Sequence, residues 1–271
     1  MVLRLNRYVH PFLVGLLVLL TMLGCAAPTN TSFDLSLTEA RADLRRMRAE
    51  PSRPERPIVI AAGYLDPGFV PCLLGSRLRG VTHAEAALVR VGFFFAFDFD
   101  RCREMLIRAV EESCPSDDPE WTAEVDVIGF SMGGLVARYA ALPRSDGGKR
   151  LRIRTLFTIG TPHRGARLSG LPSLSQRVRD MRVGSSFLRR LDRALPRARY
   201  ELCCYASLND LIVGAEYAAP PNQAAWWVSA RFLHPAHISA WNDPRIVADI
   251  ARRLRGETPW TARPPAPLPE G

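Results

Sequence analysis

Five residues near the middle of the chain, Gly129-Phe130-Ser131-Met132-Gly133, constrain the fold more than anything else in it. They follow a short apolar run over 125–129 and feed at once into 132–142, which has the periodicity of a helix. A serine flanked by glycines at a strand-to-helix junction implies a tight, strained turn, because glycine leaves room for neighbouring backbone to approach. The pattern alone is short enough to arise by chance in a chain of 271 residues. Its place between a strand and a helix is what gives it weight.

The rest of the chain repeats the same grammar. Apolar runs over 57–63, 91–99, 153–159, 202–206 and 226–232 read as further strands, and helical patterns occupy 101–112 and 244–254. Near-continuous apolar strands alternating with helices predict an α/β fold, a mostly parallel central sheet covered by helices on both faces. One domain over 57–256 is expected, preceded by a tether over 25–56 that carries a single helix at 37–47. A proline-rich tail follows over 257–271.

Residues 1–24 read as an export signal. Arg4 and Arg7 precede an apolar run over 12–23, too short for a membrane-spanning helix, which needs about 20 residues. The run ends in Met22-Leu23-Gly24-Cys25, which resembles the lipobox of bacterial lipoproteins. That resemblance implies lipidation at Cys25, membrane association and a domain at the cell envelope; a plain signal peptide or an uncleaved anchor is the alternative. In such a compartment Cys72, Cys102 and Cys114 are candidates for one disulfide, whereas Cys203 and Cys204 read as buried thiols. The net charge is +9, with Lys149 the one lysine among 36 basic residues, but no nucleic-acid-binding motif accompanies it. Nucleic acid is therefore not an expected partner.

A serine hydroxyl is a poor nucleophile until a base removes its proton. Where the serine sits on such a turn, the acid and then the histidine follow it in chain order. That order removes His10, His83 and His163 and leaves His234 and His237. His237 is preferred because it opens a segment leading into the last helix, while Pro235 follows His234 directly. Asp210 lies just past the apolar run at 202–206, at the carboxyl edge of a strand where ligand-facing groups collect. Asp180 and Asp192 sit among arginines, and Asp243 and Asp249 come after the base.

Together with Gly160-Thr161-Pro162-His163-Arg164-Gly165-Ala166, which is similar to a G-T-P-H-x-G element, these residues resemble the lipase-like α/β-hydrolases over roughly 57–255. The resemblance implies an α/β-hydrolase fold with a helical lid-like insert over 167–200, no metal or organic cofactor, and a lipid or small ester as substrate. It implies Ser131 as nucleophile, Asp210 as acid, His237 as base and His163 as a structural neighbour. The backbone amides of Tyr64 and Met132 would form the oxyanion site. The family usually carries His-Gly after its first core strand, and this chain has Ala62-Gly63 instead, which keeps the amide but removes a supporting side chain. The insert holds nine arginines interleaved with apolar residues and reads either as a cover that opens at a lipid surface or as an ordinary packed helical segment. Trp226-Trp227 reads as a core strand pair or as part of an acyl pocket. The expected activity is cleavage of carboxylic esters through a Ser-His-Asp triad. Acyl transfer or amide or thioester cleavage by the same residues, and a non-catalytic envelope lipoprotein, are the alternatives.

Overall fold

The computed structural model describes residues 30, 32–50, 52–82, 88–170, 173–229 and 235–269. The signal segment over 1–24, Cys25, His10, His83 and His234 lie outside these residues. The described chain runs α1 (Leu37–Ala49), β1 (Ile58–Ala61), α2 (Phe69–Thr82), β2 (Leu88–Val91), α3 (Phe99–Ser113), β3 (Val125–Phe130) and α4 (Met132–Ala140). It continues through β4 (Ile153–Ile159), α5 (Gln176–Asp180), α6 (Ser186–Ala194), β5 (Glu201–Ser207), β6 (Trp226–Val228), α7 (Ala236–Ser239) and α8 (Pro244–Leu254). The strands form one sheet in the order β2-β1-β3-β4-β5-β6. Every neighbouring pair is parallel.

Side chains alternate across this sheet with the period of two that strands impose. Ile58, Ile60, Ile128 and Phe130 enter a layer closed by α1, α2 and α8 through Met47, Leu74, Leu78 and Ile246. Val59, Ala61, Val125 and Val127 enter the opposite layer, closed by α3 and α4 through Leu106, Val110, Leu135 and Val136. Burial on both faces is why the strands read as unbroken apolar runs. The sheet order reverses between β1 and β3, whose last paired residues, Ala61 and Gly129, stand level with each other. A crevice opens at such a reversal, outside the carboxyl ends of the strands.

Several expectations are corrected. The strand expected over 91–99 ends at Val91, and Gly92 follows so close to the Pro67 carbonyl that only glycine fits there. Phe93 then turns into the core while Phe94, Phe95 and Phe97 stand in solvent. The segment expected as a tether is part of the domain from residue 32 onward: Phe33, Leu35, Leu44 and Met47 are buried against α8 and α2. A capping box between Ser36 and Glu39 starts α1, and Asp43 accepts from Arg252 and from the Trp260 indole. The tail is also anchored, with the Thr261 amide and hydroxyl donating to buried Asp249 at 2.9 and 2.6 Å. Cys72, Cys102 and Cys114 form no bridge; all five described cysteines are free. Burial pushes the Cys102 thiol up to about 12, and Cys203 and Cys204 lie buried in β5. No helix among the described residues is long and apolar enough to cross a membrane.

Candidate active site

Ser131 sits between β3 and α4 at φ 52°, ψ −123°, a left-handed conformation that costs a non-glycine residue about 1–3 kcal/mol. The surroundings hold it there. Its N–H donates to Ile159 O at 2.9 Å and its carbonyl accepts from Thr161 Oγ1 at 2.8 Å. A Cβ at Gly133 would run into the Ala61 carbonyl, so only glycine lets α4 start this close to β1. The turn brings the Ser131 hydroxyl to the crevice between β1 and β3, at the positive end of α4.

His237, on α7 after β6, places Nε2 3.0 Å from Ser131 Oγ. Its Nδ1 lies 2.7 Å from Asp210 Oδ2, on the loop after β5. Asp210 Oδ1 accepts the amides of Ile212 and Val213, both at 2.9 Å. All three side chains are buried. Burial works to raise the Asp210 pKa, but the hydrogen bond and charge of His237 and the two amides outweigh it and hold the carboxyl below its ordinary value. An ionised carboxylate only accepts, so Nδ1 carries the proton and Nε2 is left to accept from the serine hydroxyl. Gly160, at φ 57°, lies against this pair, where a Cβ would stand 3.3 Å from His237 Nδ1. Arg245, almost fully buried, clamps the segment that carries His237. It donates to the Ser229 hydroxyl (2.7 Å) and carbonyl (2.9 Å) just past β6, and to Asp243 at the start of α8 (2.8 and 2.9 Å).

Met132 is the first residue of α4, so its N–H has no intrahelical acceptor. Gly63, just before Tyr64, lies so near the elbow that a Cβ there would stand 3.3 Å from the Ser131 Cβ. Two residues that sequence reasoning did not single out support this loop. Asp66 accepts the amides of Gly68, Phe69 and Val70 at 2.6–3.0 Å, and its carbonyl accepts the Phe93 amide. Arg177, buried on α5, places its guanidinium 4.7 Å from the Tyr64 ring centre and donates to Phe93 O at 2.9 Å. Acid-to-amide and guanidinium-to-ring contacts thus hold the loop that follows β1.

His163 is fully buried behind the elbow. Arg138 Nη1 lies 3.0 Å from its Nδ1, and an arginine only donates, so Nδ1 accepts and Nε2 carries the proton toward Thr158 Oγ1 at 3.0 Å. Burial, and then the Arg138 charge, push the His163 pKa well below 6.5 and keep the ring neutral. The structure thus brings together Ser131, Asp210 and His237, with Tyr64 and Met132 flanking them. In the lid-like insert, α6 packs Leu188 and Leu191 into the core and stacks Phe187 on Phe99 at 4.1 Å, while Leu174 and Val183 are exposed. Trp226 and Trp227 form the edge strand β6.

The sheet, its helices and the turn at Ser131 define an α/β-hydrolase fold. A family model described as a PGAP1-like alpha/beta domain matches residues 98–181, a stretch that includes Ser131 but neither Asp210 nor His237. Solved structures with a similar fold include the gene lin2722 product of Listeria innocua, at TM-score 0.52 and 14% identity over 75% of this chain and 95% of that one. Another is the propeptide form of lipase BlEst2 from Bacillus licheniformis, at TM-score 0.50 and 15% identity over 77% of this chain and 52% of that one. Phospholipase PlaB of Legionella pneumophila aligns at TM-score 0.47 and 13% identity over 60% of this chain, which spans under half of that protein (44%). A search of curated proteins found no match.

Proposed function

We propose that this protein is a serine hydrolase of carboxylic esters with lipid-like acyl groups, acting at the cell envelope and held there through a lipidated Cys25. One observation carries the catalytic reading: the Ser131 Oγ, His237 and Asp210 relay at 3.0 and 2.7 Å, on a strained turn at the mouth of the crevice. In the proposed reaction Ser131 attacks the acyl carbonyl carbon while His237 Nε2 takes the hydroxyl proton. Asp210 stabilises the imidazolium, and the amides of Tyr64 and Met132 receive the oxyanion. Collapse passes the proton from His237 to the leaving alcohol, and a water activated by the same base releases the acid.

Exposed apolar side chains support a lipid-like substrate. Leu65, Phe94, Phe95, Phe97, Leu174 and Leu211 all lie in segments that follow strand carboxyl ends, and in a parallel sheet those ends share the side where Ser131 emerges. The name of the Bacillus licheniformis neighbour, a lipase, agrees with this reading. A fluorophosphonate probe is expected to label the purified protein, and Ser131→Ala to abolish both labelling and hydrolysis of short-chain esters. Undiminished labelling of Ser131→Ala would sink the assignment.

A further inference from the structure

We propose that a cavity at the C-terminal end of α4 is a second binding site, for a single-chain anionic amphiphile: an alkyl chain ending in a carboxylate or phosphate. The cavity has a volume of about 710 Å³, within the ~300–1,000 Å³ of small-molecule sites. It is separate from the crevice. Ala141, on its wall, lies ten residues past Ser131, roughly 15 Å along the helix.

Its lining has two kinds of surface. Leu151, Ile153 and Leu191, all buried, supply an apolar floor. Arg197 and Arg199 stand exposed at the rim with no carboxylate partner among the described residues. The carboxylates nearby are already engaged: Glu120 with Arg150 at 3.0 Å, Glu124 with Arg56 at 2.6 Å, and Asp118 with the amides of Glu120 and Trp121. Unbalanced positive charge above an apolar floor selects an anionic head group on an alkyl chain.

Arg138 adds positive charge beneath the floor. It lines the same cavity and is only 1% exposed. Its Nη1 and Nη2 are directed to His163 and Asp192, and Tyr200 on the same wall is a further hydrogen-bonding neighbour. The bound anion would be read by Arg197 and Arg199 at the rim, with the buried Arg138 charge adding to the positive field below. Through Arg138 it would adjoin His163, which backs the elbow.

The test uses the full-length chain carrying Ser131→Ala, so that ester cleavage cannot consume or mask a ligand. Decanoate, decyl phosphate, inorganic phosphate and decyltrimethylammonium are titrated below their micellar concentrations by calorimetry. The two alkyl anions are expected to bind at one site, and the cation and inorganic phosphate to bind at least about tenfold more weakly, a difference of about 1.4 kcal/mol. Arg197→Glu with Arg199→Glu is expected to weaken the anions by about tenfold or more. Ala141→Trp, which fills the cavity from its wall, is expected to abolish binding, with circular dichroism confirming that each variant is folded. Wild-type protein whose Ser131 carries a fluorophosphonate adduct is expected to bind as Ser131→Ala does. The proposal is overturned if the adduct blocks binding, which would place the ligand in the crevice, or if neither folded variant changes affinity. Equal binding of the alkyl cation, or of inorganic phosphate, overturns it as well.

Discussion

Asp210 and His163 show how burial has opposite outcomes for two ionisable side chains a few ångströms from one elbow. Asp210 keeps its charge because His237 and two amides offset its desolvation. Asp210→Asn preserves the shape but favours the wrong imidazole tautomer, so ester turnover is expected to fall by about 10³–10⁴-fold in steady-state assays while the fold is retained. His163 instead gives up its charge, to burial first and the Arg138 guanidinium second. The unfolded chain takes a proton at about pH 6.5, whereas the folded chain takes it only well below that value. The stability contributed by keeping His163 neutral is therefore fully present above about pH 6.5 and declines as pH falls through it, at no more than about 1.4 kcal/mol per pH unit. Between pH 7.5 and 5, urea unfolding is expected to show a larger loss in the wild type than in His163→Gln, by up to about 2 kcal/mol. Equal losses in the two proteins would show that His163 is not held neutral.

Elements differ in how plainly their residues announce them. β4 and α8 are legible to the residue, because an unbroken apolar run and a proline-led amphipathic pattern each match one period only. α2 is not, since Pro71, Gly75 and Gly80 break its pattern; Asp66 caps it and Pro71 falls in its first turn, where proline is tolerated. α1 is recognisable as a helix, but its partner is not: only the fold shows Met47 packed between α8 and α2. Met47 is fully buried, and Met47→Ala is expected to cost about 2–5 kcal/mol in urea unfolding, which a freely mobile tether would not show. The same division runs through the candidate site. Ser131, Asp210 and His237 stand out by chain order, and the first two also by their places just past strands. Arg138, Arg177 and Arg245 are invisible among so many arginines, because what distinguishes them is a partner distant in sequence or a bracketing loop: His163, Tyr64 and Ser229.

At the scale of the whole molecule, the parallel sheet sorts function to one side. Its carboxyl ends carry the relay and the exposed phenylalanines, and the cavity beyond α4 lies away from them. Burying one phenylalanine in a lipid phase is worth about 1.5–3 kcal/mol. The pair Phe95→Ser and Phe97→Ser is therefore expected to slow hydrolysis of an ester presented in anionic vesicles by at least about tenfold and leave a water-soluble ester unaffected. Equal slowing on both substrates would count against a lipid-facing rim. The opposite concern for any open sheet is its lateral edge. On β6 the Trp227 amide donates to the Ser32 hydroxyl, and the indole N–H groups of Trp226 and Trp227 donate to the carbonyls of Arg263 and Ala266. Uncovered, that strand would present free amides and two large rings to any other copy, a template for adding strands from chain to chain. The segments flanking the core thus cover its open edge, and trimming either one is expected to promote self-association, seen as larger species in size-exclusion chromatography.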